Sequence, residues 1–171
     1  MKKPDCLHRP AWTALLVIGA IGWPLLAEGL AGAEAPPGRY TVTDTTVLDT
    51  KTGLTWQRVA SSTSFTWDTA KSYCATVTGL PGAGWRLPTM KELATLLDLT
   101  KPAPTFYIDL TVFNMPTNYV NTDGVFWTAT PYAGPPQLNW NGNAGAWNVY
   151  FKGGVTYYNQ TVVGAWARCV R

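Results

Sequence analysis

The chain predicts an α+β domain, and three observations carry that expectation. Two helical patterns stand early in the sequence, β-prone runs dominate its second half, and nowhere do strand and helix patterns alternate as a parallel sheet would require. β-prone residues run from 40 to 48 and again from 54 to 58, with Lys51-Thr52-Gly53 as the turn of a hairpin. Residues 61–64 then offer serine and threonine caps to a first helix. Trp67, Ala70, Cys74 and Val77 share one face of it, so Cys74 falls on the buried stripe. A turn-rich link, residues 79–84, leads into Trp85-Arg86-Leu87-Pro88. Thr89 and Glu92 form the two ends of a capping box, and Leu93, Leu96 and Leu97 give the second helix its apolar face. Prolines 102, 104 and 116 break any periodicity over residues 100–123, which read as a long excursion, functional or packed by its own side chains. Residues 126–130 read as a buried strand, 146–151 with 155–158 as a hairpin around Lys152-Gly153-Gly154, and 165–170 as a closing strand.

The first 33 residues have the layout of a secretory signal peptide. Lys2, Lys3 and Arg9 charge the n-region, residues 11–27 are apolar, and Ala31-Gly32-Ala33 forms a small-x-small cleavage site. A retained anchor fits less well, because Pro24 interrupts a run already shorter than the roughly 20 residues of a bilayer span. Cys6 precedes the apolar run, the wrong side for a lipoprotein cysteine. The expected organisation is therefore a signal at 1–33, a flexible leader at 34–39 and one domain at 40–171. It implies a protein secreted to the periplasm or cell surface with no stable membrane anchor after cleavage.

Cleavage would change the available chemistry. His8, the only histidine, leaves with the signal, as does Cys6, so the pair Cys74 and Cys169 remains. A chain without imidazole lacks the commonest general base and metal ligand, and an even cysteine count in an exported protein favours a bridge. Charge falls to about ten bases against eight acids with no Lys/Arg run, which argues against nucleic acid as partner. No histidine stands ready to activate Ser61, Ser62, Ser64 or Ser72, and the scattered acids show no spacing for glycoside hydrolysis. The expectation is a non-enzyme without cofactor or metal ligands.

Several motifs in order carry a resemblance. Val47-Leu48-Asp49, Thr52-Gly53-Leu54-Thr55-Trp56-Gln57-Arg58, Trp67-x-x-Ala70-x-x-Tyr73-Cys74, Trp85-Arg86-Leu87-Pro88-Thr89 with Glu92-Leu93, Phe126-Trp127-Thr128-Ala129-Thr130 and the ending Arg168-Cys169-Val170-Arg171 resemble the Lcl C-terminal domain family. That bacterial extracytoplasmic family, named from a collagen-like adhesin, is similar to the C-type lectin-like superfamily. The resemblance implies two helices packed on curled antiparallel sheets, a disulfide from first helix to last strand that Cys74 and Cys169 would form, and loops that bind ligands. It also implies sulfated or other surface glycans as the ligand class. No collagen-like repeat precedes the domain.

The superfamily's calcium-dependent sugar site uses Glu-Pro-Asn or Gln-Pro-Asp with Trp-Asn-Asp, and here only Trp147-Asn148-Val149 stands in its place. Asp109, Asn121 and Asp123 are the remaining oxygen ligands for a structural ion. Trp85-Arg86-Leu87-Pro88-Thr89 is also similar to the element of formylglycine-generating enzyme relatives, whose chemistry needs a cysteine pair that is here claimed structurally. The alternative is architecture, with Trp85 packing, Arg86 bound to a carboxylate or to carbonyls, and Thr89 capping.

Tyr132, Asn139, Trp140, Asn141, Asn143 and Lys152 form the candidate binding surface. Asn amides both donate and accept, which suits sugar hydroxyls, and a Trp or Tyr face stacks on a pyranose. For Trp140, ligand contact and turn packing stay open together, whereas Trp147 inside a strand reads as core. The expected partner is an extracellular glycan or surface protein, with homo-oligomerisation left open and a structural or protein-binding module as the rival function.

Overall fold

A computed structural model describes residues 36, 38–101, 106–115, 124–135 and 142–171, all within one unit, Ala31–Arg171. The chain folds as α+β with two antiparallel three-stranded sheets and two short helices. The sheets are not strongly curled, which departs from the expected curled arrangement.

The first sheet holds β1 (Tyr40–Val42), β2 (Thr46–Asp49) and β3 (Thr55–Gln57) in chain order. The single run expected over 40 to 48 is thus two strands. Threonine chemistry explains the break: Thr43 Oγ1 accepts from the Thr46 backbone N–H at 3.0 Å and the Thr43 N–H donates to the Thr46 carbonyl at 2.9 Å, closing a tight turn. The next turn is the one expected. Gly53 takes φ 73°, a left-handed conformation that favours glycine, and Asp49 Oδ1 accepts from the Lys51 N–H.

Helix α1 (Trp67–Thr76) buries Ala70 and Cys74, as the stripe predicts, and ends with Val77 as C-cap. Its N-cap is Thr66, not a residue of 61–64, because Phe65 is held to Ala165 by a pair of backbone bonds and keeps the chain extended up to that point. The Trp67 indole donates to the Thr128 carbonyl at 2.7 Å, fastening α1 to the second sheet.

Helix α2 (Met90–Ala94) has the full capping box: Thr89 Oγ1 accepts from Glu92 N–H, and Glu92 Oε2 accepts from Thr89 N–H. Leu93 is buried in the helix, while Leu96 and Leu97 follow it in a tighter turn that still buries Leu96. The long excursion is packed by its own side chains where it is described. Ile108 and Phe113 are fully buried, and Tyr107 N–H bonds the Phe151 carbonyl.

The second sheet comprises β4 (Val125–Tyr132), β5 (Gly145–Tyr150) and β6 (Val155–Gln160), again in chain order, with a register shift in β4 between Trp127 and Pro131. Phe126 and Val149 join a core with Trp56, Leu93, Phe113 and Trp166, and Trp127 and Ala146 join a second one with Ala70, Trp85 and the cystine. Both sides of β4 and β5 are thereby covered. β6 is the edge, with Val155 and Tyr157 about half exposed.

Residues 165–170 do not form the expected ladder strand. They are completely buried but make isolated bridges, Trp166 to Phe126 of the second sheet and Val170 to Trp56 of the first. A strand wedged between two sheets must divide its backbone bonds among several neighbours: Gln57 N–H takes the Cys169 carbonyl, Arg86 and Val170 exchange two bonds, and Trp127 N–H takes Trp166. Cys74 and Cys169 are disulfide-bonded with Cα atoms 5.3 Å apart, tying α1 to this segment.

Candidate functional site

The open side of β6 gathers aromatic side chains. Tyr132 ends β4, paired with Gly145, which pairs in turn with Gln160, so the ends of all three strands meet there. Its ring stacks on Tyr158 at 4.1 Å with the planes 12° apart and meets Trp147 edge-on at 5.9 Å; Trp147 and Tyr158 meet edge-on at 5.5 Å. All three are half-buried. The phenol of Tyr158 is held above its ordinary pKa by its hydrogen bond with Tyr132. Beside them Asn143 Nδ2 donates to Gln160 Oε1 at 3.1 Å, fixing an amide pair at the rim. Gly134 sits against this group; a methyl there would fall 2.2 Å from the Tyr132 hydroxyl.

Tyr132 and Asn143 therefore come together as the sequence reading expects. Lys152 does not join them. It stands in the turn after β5, separated from the Tyr132 rung by the five steps from Gly145 to Tyr150, about 17 Å at roughly 3.4 Å per residue. Asn139, Trp140 and Asn141 lie outside the described residues. Trp147 is not the core residue its strand position suggested, because it is only half-buried, two rungs in from the sheet's end and opposite Tyr158 of the edge strand. Tyr158 was missed. The alternation along residues 155 to 160 was the available signal, but a strand with polar or aromatic residues on both faces does not reveal which face carries a site.

Two other elements weighed for chemistry make structural contacts. Trp85 is buried and Arg86 forms a two-pronged pair with Glu92 at 2.8 and 2.6 Å. This guanidinium bond, aided by the Thr89 N–H and against the opposing effect of partial burial, pushes the Glu92 carboxyl down to about 2. Asp109, considered for an ion, accepts from the Thr111 N–H and hydroxyl. Asn121 and Asp123 lie outside the described residues. Among the described residues no group of three or more His, Cys, Asp or Glu is placed to hold a metal.

What the fold and these contacts define is a disulfide-closed α+β domain whose last strands present an aromatic surface framed by amides. The chain belongs to the Lcl C-terminal domain family, whose model matches residues 45–171. The match takes in everything after the first strand. No curated relative matches the chain.

Proposed function

We propose that this protein is an exported, non-catalytic binding domain that recognises a surface glycan through Tyr132, Trp147 and Tyr158 with the Asn143–Gln160 amides. The observation that carries this reading is the aromatic group at the end of the second sheet. Ring faces stack on the apolar face of a pyranose and amides bond its hydroxyls; the three rings and Gln160 sit on strands, and Asn143 just before β5 is bonded to Gln160. Export rests on the signal-like layout of residues 1–33 and agrees with a structural disulfide. Membership of the C-type lectin-like superfamily belongs to the same proposal, supported by the bridge from first helix to last segment.

A glycan array probed with the protein, followed by titration of Tyr132→Ala, tests the reading. Binding that survives this substitution unchanged, or an array without hits, would refute it. One observation favours a second reading as a protein-binding module. β6 carries no charge and exposes Val155 and Tyr157, the conditions under which an extended partner strand adds to a sheet. Stable co-elution with a protein partner that no sugar displaces would support it.

A further inference from the structure

The opposite face of the same edge strand holds a cavity of about 290 Å³ lined by Val125, Tyr150, Val155, Tyr157 and Asn159. The strand register explains the set. Val125, Tyr150 and Val155 form one rung of the sheet, Asn148 and Tyr157 pair on a second, and Ala146 and Asn159 on a third. Residues opposite each other or two apart share a face of a pleated sheet, so Asn148 shares this face without lining the cavity.

Asn148 is anomalous there. It is completely buried, and neither its amide nitrogen nor its amide oxygen has a hydrogen-bond partner. A buried amide left without partners is costly, so its presence on the cavity's face of the sheet calls for a reason. Tyr157, the residue opposite it, is 54% exposed, and its ring stacks on Tyr158 with centroids 5.4 Å apart. Tyr150 is held more firmly, because its ring packs where Gly153 has no side chain; a methyl there would fall 2.5 Å from the ring. The pocket thus has two aromatic walls, two valines and an amide at its rim, and none of its described lining residues is charged.

We propose that this cavity is a subsite for a single uncharged pyranose ring, stacked between Tyr150 and Tyr157 and bonded by Asn159. This rests on the carbohydrate reading above and adds a ligand class to it. The volume lies just below the roughly 300–1,000 Å³ of typical ligand pockets, enough for one ring but not for a chain. The uncharged lining selects neutral sugars over sulfated ones, since an anion buried without a partner is strongly disfavoured. Lys152 lies in the turn following Tyr150 and is exposed, but it is not part of the lining.

The test is methyl-resolved NMR of the protein expressed with its own N-terminal segment, titrated with the methyl glycosides of glucose, galactose and mannose and with glucosamine 6-sulfate. At least one neutral glycoside should shift the Val125 and Val155 methyl signals. Tyr157→Ala and Asn159→Ala should each weaken that response tenfold or more while the buried Val47 and Val170 methyls keep their positions. Shifts confined to the Trp147 indole and Tyr132 would overturn the subsite and leave the glycan reading standing. Tighter binding of the sulfated sugar at Val125 and Val155 would overturn the neutral class. Silence with every sugar would overturn both readings.

Discussion

Arg168 shows how much one side chain can organise. It is fully buried, donates to the carbonyls of Gln57 at 2.7 Å, Arg58 at 2.6 Å and Asn114 at 3.1 Å, and lies 5.0 Å from the Phe113 ring. The planar fork reaches three acceptors in two distant segments at once, so Arg168→Ala should destabilise the domain by about 3 kcal/mol or more, and Arg168→Lys should recover only part of that. Denaturant titration of both variants measures it. Glu92 sets a pH dependence. Its carboxyl pKa falls from 4.5 to about 2 on folding, so its contribution is complete above about pH 4.5 and disappears as pH falls towards 2. Glu92→Gln should lower the melting temperature at pH 7 by about 4 °C, the equivalent of roughly 1 kcal/mol for a capping box with a half-exposed partner, and the difference should vanish near pH 2. At the proposed surface, Tyr132→Ala should weaken glycan binding by about 1 to 3 kcal/mol, the range for a central aromatic contact, with little change in melting temperature because Tyr132 is only half-buried. Arg168 was quoted in the sequence motif without a role. Nothing in a lone arginine beside a cysteine tells that its guanidinium will end among carbonyls.

Among the elements, those specified by neighbours in sequence were legible. The capping box of α2, the Ala70 and Cys74 stripe of α1 and the glycine turns of both hairpins all follow from residues within a few positions of one another. Elements whose ends depend on distant backbone were not. α1 starts at Trp67 because Phe65 is claimed by Ala165, and residues 165–170 are bridges instead of a strand because two sheets compete for their backbone groups. The disulfide joins these two elements across 95 residues. Its reduction should cost about 4 to 5 kcal/mol in the chain-entropy model, read as a lower denaturant midpoint in reducing buffer and as two newly alkylated thiols by mass.

Over the whole molecule, residues 165–170 act as the keel on which both sheets and α1 are assembled. Because no group of three or more His, Cys, Asp or Glu gathers among the described residues, melts with calcium and with EDTA should agree within about 5 °C, or roughly 1 kcal/mol. A larger shift would point to oxygen ligands in the residues between Met115 and Gly124. By itself the sequence determined the class of fold, the capped start of α2, the glycine turns, the family and the paired cysteines, because each is written in local spacing or in residue type. Only the tertiary structure decided that Tyr132, Trp147 and Tyr158 share a surface, that Lys152 stands at the other end of the sheet, and that Asn148 lies unpaired beside a cavity. The reason is strand register: side chains far apart in the chain become neighbours only when β4, β5 and β6 pair rung by rung, and a slip of one residue would send each to the opposite face.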